Sequence, residues 1–248
     1  MTMSKMSTTT GTKLMTNFRN KVFYLWAFVL ALAVIMAAIT ISIDRTSHNT
    51  KNYSNFQKEH AIDKVTGKSL EELEIINQNI SLFLNLPDED FLAKDFNSRE
   101  IAHMKDVYKL YELSNTIMGF SIAVVVLSVF VAVAKRIRHE LLVKSLVCIL
   151  IILAILLIMV LVISMDFDKY FTKFHEIFFD NDLWILNPET DLMIQMMPLS
   201  FFKMMAAKIF LGTLAIIGGY SLLVIFDRLI SKRLKERKVR KEEIEHAV

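Results

Sequence analysis

Residues 146–164 read LVCILIILAILLIMVLVIS, nineteen positions with no charge, no proline and no glycine. At about 1.5 Å of rise per residue such a stretch is long enough to cross the hydrocarbon core of a bilayer as a helix. Three other runs have the same texture, at 22–43, 117–134 and 209–226, and none contains a charged residue. Packing all four inside a water-soluble domain would require a far larger polar shell than the rest of the chain supplies. The 248 residues are 54% hydrophobic and 22% charged, with six glycines, three prolines and one cysteine. That balance excludes a disordered chain, a collagen-like fibre and a disulfide-stapled secreted domain. The expected fold class is an all-α membrane protein, four transmembrane helices carrying a mainly helical extracytoplasmic cap.

Charge orients the spans. Residues 1–21 hold four cations and no acid, residues 135–145 four cations and one acid, and residues 227–248 eight cations and five acids. Residues 44–116 hold nine cations against thirteen acids, and 165–208 four against seven. The basic segments are short and adjoin the apolar runs, so the positive-inside rule predicts a cell-membrane protein with both termini and 135–145 in the cytoplasm. Segments 44–116 and 165–208 then form the cap outside. The first apolar run is too long for the core of a cleaved secretory signal and has no small-x-small site at its exit, so it reads as a retained anchor. Residues 1–17 read as a mobile leader. The basic stretch 228–241 reads as a helix continuing the fourth span against anionic headgroups, or as a topogenic stop signal. Cys148, alone and inside the third run, predicts neither a disulfide nor thiolate chemistry.

Both cap segments carry helix signals. Ser69 with Glu72 forms a capping box ahead of Leu70, Leu73, Ile76, Ile80, Phe83 and Leu84, ending at Pro87. Ser98 is expected to cap a second helix that runs into the second span, and the polar stretch 45–68 reads as loop. The second segment threads Phe167, Tyr170, Phe171, Phe174, Phe178, Phe179, Trp184, Phe201 and Phe202 among carboxylates, with a turn or helix start at 187–191. Aromatic rings at this density beside span ends form an interfacial layer.

Two histidines belong to these helical segments. His103 has Asp106 three residues on, in position to orient an imidazole and raise its basicity. His175 shares a helix face with Phe171, Phe178 and Phe179, a setting that keeps it neutral and able to accept a proton. Serine-hydrolase elbows, Walker loops, HExxH pairs and CxxC pairs are all missing. Acid–base catalysis on a substrate carrying its own nucleophile and electrophile fits that absence.

The string 174–179 (FHEIFF), followed by Trp184, Pro188-Glu189-Thr190-Asp191-Leu192, Pro198 and Phe201-Phe202, resembles the signature of the lipoprotein intramolecular transacylase family of Gram-positive bacteria. Residues 99–107 (REIAHMKDV) resemble that family's other marked segment, and the similarity extends over about 18–230. Asp180-Asn181-Asp182 departs from it, standing where a Pro/Gly turn is usual, as does Leu199-Ser200 after Pro198.

The resemblance implies an acyltransferase that moves the sn-2 acyl chain of a diacylglyceryl lipoprotein to its own N-terminal cysteine amino group, giving the lyso form. It implies His103 and His175 as catalytic groups. Asp106, Phe174, Glu176, Phe178, Phe179, Trp184, Asn187 and Asp191 would line or shape the site. Expected partners are the diacylglyceryl-modified lipoprotein and membrane lipid, with no nucleic acid, no metal and no cofactor. Two rival readings remain at this point: a non-enzymatic outer-leaflet module binding lipid or a partner, and a metal hydrolase built on His103, His175 and Glu176 or Asp191.

Overall fold

In a computed structural model the described residues are 4–246, and no strand occurs among them. The helices are α1 (Ser4–Ser47), α2 (Thr50–Glu59), α3 (Ile62–Thr66), α4 (Leu70–Asn85), α5 (Ser98–Ala134), α6 (Arg138–Met165), α7 (Phe167–Phe178), α8 (Leu192–Met196) and α9 (Leu199–His246), with a 3-10 turn at Glu89–Phe91. Four of them are long and apolar enough to cross a membrane: α5, α6, Arg19–Ser47 of α1 and Leu199–Leu234 of α9. The all-α class with four apolar spans is therefore the observed one. The helix begins at Ser4, so it runs back through most of the stretch expected as a leader.

The chain divides into two compact units. One comprises Met1–Met36, Phe120–Leu156 and Ala215–Val248. Inside it, spans meet through isolated polar pairs, as helices in lipid do where hydrocarbon offers polar groups no other partner. Trp26 Nε1 donates to Ser128 Oγ at 3.1 Å, and Ser145 Oγ lies 2.6 Å from the Tyr220 hydroxyl. Asp227 takes both Arg138 and His139. Between α5 and α6, Ile137 N–H returns to Ala132 O and Arg136 N–H to Val133 O, a Schellman ending with Arg136 at φ 58°.

The other unit comprises Ala37–Gly119 and Leu157–Leu214. Its core is Leu73, Ile76, Ile80, Phe83 and Leu84 of α4 against Tyr53 and Phe56 of α2, Leu92, Phe96, Ile101 and Met104, and Met193, Met196 and Phe201. The capping box that starts α4 is formed, Glu72 N–H donating to Ser69 Oγ at 3.2 Å and Ser69 N–H to Glu72 Oε2 at 2.8 Å. Leu73 and Phe83 are fully buried, as their spacing requires, whereas Leu70 at the helix edge is exposed. Within this unit α1 and α9 approach closely at Gly212, where an added Cβ would lie 3.0 Å from Ser42 Oγ.

The stretch 45–68 is a correction. It was expected as loop and instead holds the whole of α2 and α3. Its helix buries two aromatic rings and two amides, not an apolar stripe: Gln57 and Asn77 of α4 exchange amide bonds at 3.1 and 2.8 Å. With no hydrophobic period to read, the helix was invisible to a pattern argument. The start of α5 is a second correction. Asn97, not Ser98, is its cap: Glu100 N–H donates to Asn97 Oδ1 at 3.1 Å, and Asn97 N–H donates to Glu100 Oε2 at 2.8 Å.

Helix α3 is bracketed by two left-handed residues, Ala61 at φ 49° before it and Gly67 at φ 68° after it. Alanine is strained there and glycine is not. Ala61→Gly should therefore raise stability by about 0.5–1 kcal/mol and Gly67→Ala lower it by a similar amount. Thermal unfolding of the two variants in detergent should give midpoints on opposite sides of the wild type.

Candidate functional site

The site belongs wholly to the second unit. Helix α7 starts with Asp166, whose carboxylate accepts from Lys169 N–H at 3.3 Å, and its polar and aromatic residues then segregate by face. Asp168, Phe171, Thr172 and His175 recur at i, i+3, i+4 and i+7 and line one cavity, while Phe174, Ile177 and Phe178 are exposed. His103 enters the same cavity from the second turn of α5. The remaining wall comes from Trp184 to Leu186, from Met193, Ile194 and Met197, and from Leu199 and Phe202. The volume is about 280 Å³, and apolar side chains dominate the lining.

The two imidazoles, from segments 72 residues apart, face one another with ring centroids 6.0 Å apart. Each is only 8% exposed. His175 is packed by the edge of Phe171 at 4.5 Å, by Trp184 tilted against it at 4.9 Å and by Phe179 at 5.5 Å. Its Nδ1 lies 2.7 Å from Phe171 O. A carbonyl only accepts, so Nδ1 carries the proton and Nε2 presents a lone pair. His103 touches Phe179 edge-on at 5.3 Å, and its Nδ1 is buried with no hydrogen-bond partner. A bare lone pair tolerates that position better than an orphaned N–H, which puts the ring proton on Nε2.

Burial holds both rings neutral. His103 is pushed down to about 4, first by desolvation and then by the neighbouring His175, with Asp106 opposing. Desolvation also lowers His175, partly offset by its bond to Phe171 O. The pair thus offers one lone pair and one N–H donor to a molecule in the cavity.

The other expected residues divide into three groups. Trp184 lines the cavity, and Phe179 packs against both imidazoles. Phe174 meets His175 edge-on at 5.4 Å and also faces outward, like Phe178. The carboxylates do not converge on the histidines. Asp106 accepts from Lys109 at 2.8 Å and Asn181 at 2.9 Å, so it reaches His103 only through its field. Glu176 is exposed and paired with Lys173 at 2.5 Å. Asp191 is buried, accepting from Asn187 N–H at 2.7 Å, Asn97 Nδ2 at 3.0 Å and Thr190 Oγ1 at 3.1 Å, and these bonds hold its carboxyl below the usual range, the Asn187 amide most of all. Asn187 Oδ1 accepts from Glu189 N–H at 3.0 Å. Among the described residues no three His, Cys, Asp or Glu side chains gather as metal ligands.

Three residues escaped the sequence reading. Glu100, 1% exposed, accepts from Met193 N–H at 2.7 Å and Asn97 N–H at 2.8 Å, joining the head of α5 to α8; its burial raises its pKa. An Asn-x-x-Glu box at 97–100 was the available signal. Asp168 and Thr172 were marked only by their helical spacing from His175. The departure at 180–182 also has a use: Asn181 binds Asp106, and Arg99 Nη2 donates to Asp182 O.

The family model described as lipoprotein intramolecular transacylase Lit matches residues 28–202. The fold is similar to that of the membrane-integral lipoprotein intramolecular transacylase Lit from Bacillus cereus, at 21% identity and TM-score 0.73 over 88% of this chain and 99% of that one. A structure of the same Bacillus protein with one histidine replaced by arginine matches at 19% identity and TM-score 0.75, over 90% and 99%. No curated protein sequence matches the chain.

The burial of these groups has measurable consequences. Glu100→Ala strands the buried Met193 N–H and uncaps the head of α5 at Asn97, and should cost about 2–4 kcal/mol, read as a lowered thermal midpoint. His103 binds a proton more readily when unfolded, near pH 6.5, than when folded, near pH 4. Stability is therefore full above pH 6.5 and falls as pH drops through that window. Thermal midpoints recorded near pH 7 and pH 5 should diverge, and His103→Phe should shrink the gap.

Proposed function

The chain belongs to the lipoprotein intramolecular transacylase family and is thus an acyltransferase of membrane-integral type, and from that premise we propose the reaction and the residues that perform it. The substrate is a diacylglyceryl-modified lipoprotein with a free N-terminal cysteine amine. Its sn-2 acyl chain moves to that amine, leaving an N-acyl, S-monoacylglyceryl product. The observation that carries this reading is the pair of neutral imidazoles 6.0 Å apart in one apolar cavity.

His175 acts as the base, because its free Nε2 lone pair can take the amine proton. The amine nitrogen bonds to the sn-2 carbonyl carbon while the carbonyl electron pair moves to oxygen. His103, neutral and with Nε2–H available, donates to that oxygen, as a neutral imidazole does when its pKa is held low. On collapse the carbonyl re-forms, the ester C–O bond breaks, and the proton on His175 passes to the departing glyceryl oxygen. Amine and ester sit on one molecule, so no acyl-enzyme and no cofactor enters the scheme. Holding them together can supply roughly 7–11 kcal/mol of the barrier.

Trp184 and Phe179 fix the imidazoles, Phe174 and Phe178 meet lipid, and Asp106, Glu176, Asn187 and Asp191 hold the surrounding turns. The cavity, near the small end of ligand pockets, takes the glyceryl ester and the amine while the acyl chains extend beyond it. In the membrane, both termini and 135–145 lie in the cytoplasm, the spans occupy 22–43, 117–134, 146–164 and 209–226, and the cap faces outward.

Mass spectrometry of a reporter lipoprotein's N-terminal peptide tests the reading. Cells with the gene should yield the lyso form, and His103→Asn and His175→Asn should each lower conversion by about 10²-fold or more. An acyl pattern unchanged by the gene would refute it.

A further inference from the structure

We propose that the Thr172 hydroxyl is a catalytic hydrogen-bond donor to the ester carbonyl oxygen, acting most strongly when that oxygen carries the negative charge of the tetrahedral intermediate. The inference rests on the intramolecular acyl-transfer reading and adds a residue to it. Thr172 stands three positions before His175 on α7, which makes their side chains neighbours about 5–6 Å apart at Cβ. Both line the cavity, and Thr172 supplies its one hydroxyl group.

A threonine inside a helix commonly returns its hydroxyl to the carbonyl four residues back. Thr66, Thr116 and Thr213 do so here, at 2.8, 3.0 and 2.8 Å. Thr172 differs: its hydroxyl bonds to none of the described residues, so its proton remains available to an occupant of the cavity.

The chemistry beside His175 calls for such a donor. The Nδ1–H of His175 is committed to Phe171 O, and its Nε2 takes the amine proton and delivers it to the glyceryl oxygen, so neither is assigned to the carbonyl oxygen as charge develops there. His103 offers a single N–H from the opposite wall. Oxyanion sites usually employ more than one donor, because each bond gains strength in a dry pocket. Trp184 is packed against the His175 ring at 4.9 Å and serves to orient it. Thr172, one turn from His175 and lining the same cavity, is placed to complete the pair. Throughout the reaction its proton stays on Oγ1, and the proton released by the amine travels through His175 to the glyceryl oxygen.

The test uses the purified full-length protein in lipid with a synthetic diacylglyceryl-cysteine peptide bearing a free amine. Thr172→Val keeps the shape and deletes the hydroxyl, and Thr172→Ser keeps the hydroxyl. Thr172→Val should lower kcat by about 10–100-fold with KM nearly unchanged, while Thr172→Ser stays within about 3-fold of wild type, the pattern of an interaction made in the transition state. Wild-type kcat in Thr172→Val, an equal fall in Thr172→Ser, or a loss confined to KM would overturn the proposal. So would an acyl adduct on Thr172 in the intact mass, since that would make it a nucleophile. Should Thr172→Val fail to fold, Thr172→Ala against Thr172→Ser carries the same comparison. Absence of turnover by the wild type would refute the acyl-transfer reading itself, whereas turnover undiminished by Thr172→Val refutes the donor alone.

Discussion

Removing two imidazoles from water and setting them 6.0 Å apart is the constraint around which this molecule is organised. Desolvation makes the charged form of either ring expensive, and the proximity of the rings makes a second charge more expensive still. Two positive charges in the site at once are therefore strongly disfavoured. That state persists only while Phe171, Phe179 and Trp184 exclude water, and the aromatic residues of the second segment supply those contacts. The burial of Glu100 follows from the same need. Its carboxylate accepts from Asn97 N–H at the head of α5 and from Met193 N–H of α8, and so ties the helix that carries His103 to a residue of the cavity wall.

Helix α7 reconciles opposite demands on one short element. Its cavity face carries a carboxylate, a hydroxyl and an imidazole, and its other face carries exposed Phe174, Ile177 and Phe178. In a soluble protein such an apolar face would invite aggregation. Beside four membrane-spanning helices, it is suited to the boundary between acyl chains and headgroups.

Much of this is legible in the sequence. Charge-free runs of sufficient length leave few alternatives to spans, and the Ser69 box with its apolar spacing located α4 and its buried face. The histidines were legible because a polar, titratable residue within an aromatic helix face demands a reason. What escaped was held by hydrogen bonds in place of hydrophobic period. Helix α2 is stabilised through Gln57, Asn77 and two rings, and a polar segment of that composition reads as loop. Asp106 stands at the right spacing to orient His103, but it is taken up by the Lys109 ammonium and the Asn181 amide, and His103 Nδ1 is left without a partner. Sequence spacing states which side chains are able to meet, whereas the choice among partners belongs to tertiary packing.

The cavity wall also includes Met193 and Met197, whose neighbours Met196 and Met205 continue into the core. Thioether side chains rotate freely at small energetic expense and follow the outline of whatever presses on them. This flank of the cavity is accordingly compliant where the aromatic-packed imidazole flank is rigid, so one wall adapts to the outline of whatever enters while the other keeps its own.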